Sequence, residues 1–362
     1  MIPTTLQEPV SKEVRSPAGG HRVDLAMFWY VAATSDELKP GTVLERWVLG
    51  ENLVLFRGQS GKPAALRNRC LHRHAPLSAG RVVEGQLRCS YHGWRYDGCG
   101  RVTEIPSMGQ DQHGAALRCA AAFDVLERDG YVYVRVSSKP VEAFEPFSMP
   151  HHGEPGWHHI RLLNRFQNTV TNCVENFVDI PHTAYVHEGI FRSPRRQRLE
   201  ATVERDRGTV QVTYRNETSN LGWFSWFLNG KAREIQHTDS FHMPNVTCVE
   251  YRFGTGKRFV ITSQSVPVND RETWVYTDLT YDFGFLSRLA KPIVRWQGQK
   301  VIDQDIRILG RQMETLERWG QDFDNAPADV IHVWIETIRR ELENGRDPRL
   351  LPQLRQEIEF WV

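Results

Sequence analysis

The stretch that most constrains this chain runs from Cys70 to His92. Reduced to side chains that bind metals, it reads Cys70-x-His72, sixteen residues, then Cys89-x-x-His92. Two thiolates and two imidazoles on paired short loops suit a [2Fe–2S] cluster, with two cysteines on one iron and two histidines on the other. Imidazole brings less negative charge to iron than thiolate does, so an added electron costs less and the potential rises. Zinc fits less well, because zinc sites pair Cys with Cys and His with His at short spacing. After His92 comes Gly93-Trp94, and Gly93 lets the loop turn close to a sulfide with no side chain in the way. Pro76 and Gly80 shape the first loop.

The rest of the composition is that of an ordinary globular chain. At 362 residues, 40% hydrophobic and 25% charged, it has ample core for two domains or one large one. A net charge of +1 argues against bulk attraction to nucleic acid or to a membrane surface. No apolar run is long enough to span a bilayer, and residues 1–24 read as a polar, proline-containing flexible lead-in. The other cysteines, Cys99, Cys119, Cys173 and Cys248, show no framework spacing, so a reducing cytoplasm is the expected setting.

Residues 25–138 form the first expected domain. Short β runs at Leu25–Ala33, Val43–Leu49, Asn52–Arg57, Ala64–Arg67, Val125–Glu127 and Tyr131–Val136 are punctuated by Gly50-Glu51 and Asp129-Gly130 turns. A proline-rich linker follows at 139–155, flanked by His151-His152 and His158-His159, which read as exposed linker. From 156 to 362 the pattern becomes longer strands, at Thr209–Tyr214, Leu221–Leu228, Val246–Phe253, Phe259–Val266 and Thr273–Tyr281, with one early helical stretch and a helical C-terminus. Residues 327–343 make an amphipathic helix with Val330, Ile331, Trp334, Ile335, Ile338 and Leu342 as its apolar stripe. Strands followed by helices imply an α+β class.

That second region carries its own metal pattern. Two histidines and one carboxylate with open positions form the facial triad of non-haem Fe(II) oxygenases. His182 and His187 are five apart, which is about 140° around an ideal helix, so the helix must bend or end between them. Pro181 and Gly189 make this plausible. For the carboxylate, a helix over about 291–319 puts Asp305 on a stripe with Val294, Val301, Ile308, Thr315 and Trp319, while Asp303 points away toward Arg307. An inward carboxylate needs a partner, either a metal or a buried arginine. Asp179, three before His182, can accept the N–H of a metal-bound histidine or can cap a helix.

Together these stretches resemble the Rieske non-haem iron (ring-hydroxylating) oxygenases. The family's Cys-x-His-Arg and Cys-x-Tyr-His-Gly-Trp are matched by Cys70, His72 and Arg73 and by Cys89, Tyr91, His92, Gly93 and Trp94. His74 departs from the pattern, which usually has Gly there. Respiratory Rieske proteins carry an additional cysteine on each loop, where Ala75 and Gly93 stand here. The family's Glu-Asn-x-x-Asp-x-x-His-x4-His is matched by Glu175, Asn176, Asp179, His182 and His187. The resemblance covers about residues 25–320. It implies a small antiparallel β Rieske domain followed by a helix-grip, START-like catalytic domain. It assigns Cys70, His72, Cys89 and His92 to the cluster, with Arg73 and Trp94 supporting electron transfer. It also assigns His182, His187 and Asp305 to a mononuclear Fe(II), with Asn176 and Asp179 as catalytic residues.

The implied protein is a terminal oxygenase of the homotrimeric branch that includes vanillate and dicamba O-demethylases. An NAD(P)H-dependent reductase or ferredoxin would feed the cluster, since no nucleotide-binding glycine motif occurs here. O2 and a small aromatic or cyclic substrate would meet at the iron, to be hydroxylated or demethylated. By the same resemblance, Asp179 would link His182 to His72 or, better, His92 of a neighbouring chain. The alternative from another class is a Rieske electron carrier fused to a helix-grip ligand-binding domain, which needs no second iron. Trp223, Phe224, Trp226 and Phe227 are offered to a substrate pocket, though strand alternation lets only half of them face inward.

Overall fold

The computed structural model describes residues 23–110, 112, 115, 117–137, 144–188, 197–217 and 235–362. Trp223, Phe224, Trp226 and Phe227 lie outside the described residues. The chain divides into two units, Ala26–Ser148 with Val266–Asn269, and a second dominated by Met149–Ser265 and Asp270–Val362.

The first unit holds β1 Tyr30–Thr34, β2 Val43–Val48, β3 Glu51–Arg57, β4 Pro63–Arg67, β5 Arg81–Val83, β6 Gln86–Arg88, β7 Arg95–Tyr96, β8 Val102–Glu104, β9 Ala122–Arg128 and β10 Tyr131–Arg135. They form a six-stranded sheet, β1-β10-β9-β4-β3-β2, and a four-stranded sheet, β5-β6-β7-β8, antiparallel throughout. Residues 25–27 make a single 3-10 turn where the sequence predicts the start of a strand. Val54, Phe56, Leu66, Leu77, Leu87, Tyr96 and Val102 pack into one core, and Cys70 and Cys89 are part of it. The cluster loops therefore rest on this core, one of them running into the hairpin β5–β6 and the other out of it.

The second unit holds β11 His158–Phe166, α1 Val170–Asn176, β12 Arg198–Asp206, β13 Thr209–Arg215, β14 Ile235–His242, β15 Val246–Phe253, β16 Arg258–Asn269 as far as Ser265, β17 Glu272–Asp282, α2 Ser287–Trp319, α3 Val330–Glu343 and β18 Leu354–Trp361. One antiparallel sheet runs β11-β17-β16-β15-β14-β13-β12-β18. Phe166, Tyr251, Phe253, Leu279, Tyr281 and Phe283 form a core with Val294, Ile302 and Leu309 of α2, so the α+β reading holds. In α3, after a 3-10 turn at Pro327–Asp329, the six predicted stripe residues are all buried. Each such burial is worth roughly 1.5–3 kcal/mol relative to exposure.

Three expectations need correction. The helical C-terminal region ends in a strand: after α2 and α3, Leu354–Trp361 pairs with β12, with Arg355, Glu357 and Glu359 exposed and Ile358 and Phe360 buried. His158 and His159 are not linker but the start of β11, with His159 Nδ1 3.2 Å from the buried Asp278 carboxylate. The inner stripe of α2 is Val294, Ile302, Asp305 and Leu309, while Ile308 and Trp319 are exposed. Asp305 nevertheless points inward, and Asp303 points outward, where it accepts from Gln299 rather than pairing with Arg307.

No described helix is long and apolar enough to cross a membrane.

Candidate metal centres

The two cluster loops repeat one backbone design. Cys70 N–H donates to Ala75 C=O and His74 N–H to Cys70 C=O; Cys89 N–H donates to Trp94 C=O and Gly93 N–H to Cys89 C=O. The equivalent positions His74 and Gly93 have φ of 57° and 74°. Gly93 takes this left-handed conformation without cost, and its Cβ would meet Pro106 at 3.0 Å. His74, the departure from the family pattern, takes it with a side chain that stays exposed.

Both cysteines are 2% exposed. Tyr96 Oη lies 3.2 Å from Cys70 Sγ and accepts from Leu71 N–H at 3.0 Å. Burial pushes the Cys89 thiol up, against the N–H groups of Tyr91 and His92 that aim at its sulfur. The histidines are farther out: His92 is exposed, His72 half-buried, with ring centroids 4.4 Å apart. Trp94 stacks on His72 at 5.1 Å and 4°, and Arg73 is exposed beside it. His72 Nδ1 is buried with no hydrogen-bond partner. Buried sulfurs below, an orphaned ring nitrogen above and N–H donors aimed at sulfur fit a Rieske cluster.

In the second unit, His182 sits on the 3-10 turn Pro181–Ala184 and His187 just beyond it. The chain is not α-helical between them, which removes the angular mismatch of a five-residue spacing. Their Nε2 atoms are 3.3 Å apart. Asp305 Oδ1, from α2, lies 3.2 Å from His187 Nε2 and 3.7 Å from His182 Nε2. That oxygen is buried and makes no hydrogen bond. The other ring nitrogens are engaged: His182 Nδ1 lies 3.2 Å from Asp179 Oδ2, and His187 Nδ1 lies 3.0 Å from Gln304 Oε1. Both partners are acceptors, so each Nδ1 carries a proton, and in its neutral form each ring turns the Nε2 lone pair toward the other two groups. Two lone pairs and a carboxylate oxygen that converge without a donor call for a cation. The donor set fits a mononuclear Fe(II).

Asp179 also lies 3.9 Å from His332. Burial works against its charge, but the bond to His182 and the nearness of His332 hold its carboxyl below the usual range. Asn176 lines the same cavity, and its Nδ2 is buried with no partner.

That cavity, about 180 Å³, lies between the sheet and α2, with Val249, Phe253, Phe259, Ile261 and Leu279 on one side and Val294, Ile302 and Asp305 on the other. Sequence reasoning missed several residues here. Gln304 adjoins Asp305, and a polar residue half-turned inward beside an inward carboxylate was the available signal. His332 and Tyr96 gave none. His237 and Asp239 sit on β14, where polar residues at inward positions hide the strand alternation.

A family profile described as a Rieske [2Fe-2S] domain matches residues 28–126, and one described as a vanillate O-demethylase oxygenase C-terminal domain matches 167–340. The class defined in this way is a [2Fe–2S] domain and an oxygenase domain in one chain. The chain belongs to the Rieske oxygenases, in the group with the vanillate O-demethylase type of C-terminal domain. These domains imply a Rieske cluster and a mononuclear iron, with O2. Chlorophyllide a oxygenase of Chlamydomonas reinhardtii is 35% identical over 46% of this chain and 25% of its own length. The iron-sulfur subunit of a toluene-4-sulfonate monooxygenase system of Comamonas testosteroni is 31% identical over 56% of this chain and 55% of its own. The chain thus spans a quarter to about half of these relatives. A crystal structure of dicamba monooxygenase bound to dicamba has the same fold, with a TM-score of 0.77 at 22% identity over 89% of this chain and 98% of that one.

Proposed function

We propose that this chain is the terminal oxygenase of a Rieske non-haem iron system, hydroxylating or oxidatively demethylating a small aromatic or cyclic substrate. One observation carries this reading: the Nε2 atoms of His182 and His187 and the orphaned Asp305 Oδ1 converge on a largely apolar cavity. An electron carrier has no use for such a site. Cys70, His72, Cys89 and His92 would hold the cluster, with Trp94 stacked on His72 and Arg73 at its rim. His182, His187 and Asp305 would hold the iron. Bound there, these groups supply single electrons and O2 activation.

The chain's own residues do the rest. Asp179 and Gln304 hold the two imidazoles in the tautomer that turns Nε2 inward. The apolar walls exclude water and hold the substrate's body. Asn176 Nδ2 is free to donate to whatever occupies the site. Asp179 is the residue through which an electron would enter from His92 of a neighbouring chain, within a homotrimer. The reductase or ferredoxin is a separate partner, in a reducing cytoplasm. The names of relatives, oxygenases of toluene-4-sulfonate, chlorophyllide a and dicamba, support this reading.

The test is a screen of methoxy- and methyl-substituted aromatics with a surrogate reductase and NADH, scored by formaldehyde and by hydroxylated product. Substrate-dependent product in the wild type, absent in His182→Ala, is expected. Reductase-dependent cluster cycling with no product from any ring compound would refute the oxygenase reading.

A further inference from the structure

The sheet wall of the cavity carries a charged group that the two metal sites do not use. His237 and Asp239 both line the cavity from β14, and both are at most 2% exposed. His237 Nδ1 lies 2.7 Å from Glu217 Oε2, and its Nε2 lies 2.8 Å from Asp239 Oδ1. Ionised carboxylates only accept, so both ring nitrogens carry protons and the ring is an imidazolium. It is held between two tyrosines, with Tyr251 stacked at 4.1 Å and Tyr214 tilted at 4.7 Å. Burial opposes that charge most strongly, yet Asp239 and Glu217 together outweigh it and push the imidazole up to about 9. Tyr214 donates its O–H to Asp239 Oδ2 at 3.1 Å.

The donor count decides what this wall can recognise. Both N–H groups of His237 and the O–H of Tyr214 are already committed to carboxylates. Asp239 accepts one hydrogen on each oxygen and keeps a lone pair on each. Around it on the same face are Val249, directly across the ladder, and Ile261 beyond it. Among the described residues, no lysine or arginine lines the cavity, while Asp179, Asp239 and Asp305 all do. An anionic group placed against Asp239 would meet a carboxylate whose neighbouring positive charge, on His237, is already shared with Glu217, whereas a neutral hydroxyl or N–H can donate to either of its lone pairs.

We infer that Asp239, fixed by His237 and Tyr214, is a specificity-determining residue that binds a neutral hydroxyl or N–H group of the substrate and disfavours an anionic group at that place. This rests on the cavity being the substrate site of the proposed oxygenase, and it narrows the substrate class to an apolar ring bearing a hydrogen-bond donor.

The test is calorimetric titration of the iron-loaded full chain under argon, where nothing turns over, with three probes on one skeleton: 4-methoxybenzyl alcohol, 4-methoxytoluene and 4-methoxybenzoate. The alcohol should bind at least tenfold tighter than either of the others. In Asp239→Asn, with cluster absorbance and melting temperature retained, the alcohol's advantage over the benzoate should shrink to within threefold. If that variant does not fold, the wild-type ranking decides alone. Benzoate binding as tightly as the alcohol, binding of none of the three, or an unchanged ranking in Asp239→Asn would overturn the assignment. Product formation is scored separately, so the expected ranking in a protein that makes no product would overturn the oxygenase reading instead.

Discussion

Gly80 is the position where a single methyl group should disturb the cluster most without touching a ligand. Its backbone, at φ −85° and ψ −162°, is open to any residue, so an alanine there meets no conformational penalty. The obstacle is space. A Cβ on Gly80 would lie 2.2 Å from the backbone oxygen of Arg88 and 2.9 Å from that of Leu77. The first contact falls short of the closest real approach by about 0.8 Å, and neither neighbour is a side chain that can swing aside. Arg88 is pinned by its pairing with Arg81 and leads directly into Cys89, while Gly80 closes the turn at Leu77–Ala79 that follows the Cys70 loop. The methyl therefore wedges the two ligand loops apart. Overpacking of this kind costs about 1–3 kcal/mol. Gly80→Ala should lower the melting temperature of the cluster domain by several degrees and weaken the visible absorption per chain. Gly310→Ala, on α2 with nothing within 4 Å, is the control and should be neutral or slightly stabilising. A Gly80→Ala protein with wild-type melting and full cluster absorbance would refute the reasoning.

Two further outcomes follow from the second unit. Asp179→Asn keeps the shape but removes the charge, so both metals and the proposed trimer should persist while substrate-dependent oxidation of a pre-reduced cluster nearly stops; rapid reoxidation in stopped flow would show that electrons do not need this carboxylate. His237 has its folded pKa near 9, above the unfolded 6.5, so its contribution is complete below about pH 6.5 and is lost as pH rises through 9. Glu217, Asp239, Tyr214 and Tyr251 all face it, and at about 1.4 kcal/mol per unit the contribution is at most about 3.5 kcal/mol. The melting temperature of the wild type relative to His237→Gln should therefore shrink between pH 6 and pH 9.5, and an unchanged difference would contradict the assigned charge.

The parts legible in the sequence were those in which local spacing carries the chemistry. The cluster loops place all four ligands within one short stretch, and α3 shows a full apolar stripe. Asp305 was legible because an acid on an inward helix position needs a reason, although the stripe used to find it was misphased: Gly298 and Asp305 occupy inner places that an apolar pattern skips. The sheet was harder to read. In β14 the inward positions are Ile235, His237, Asp239 and Phe241, so two of the four are polar and the alternation is hidden. In β18, Arg355, Glu357 and Glu359 alternate with Gln356, Ile358 and Phe360, and the strand is defined by its pairing with β12. Contacts such as Gln304 with His187, or Glu217 with His237, join residues far apart in the chain and leave no local mark.

The central claim is that the second unit holds a mononuclear iron on His182, His187 and Asp305, separate from the cluster. Iron per chain, measured with cluster absorbance on the same samples, tests it most directly. The account predicts three irons in the wild type and in Asp303→Ala, and two in Asp305→Ala with the cluster spectrum unchanged. Two irons in the wild type, or loss of the third iron from Asp303→Ala rather than Asp305→Ala, would contradict it.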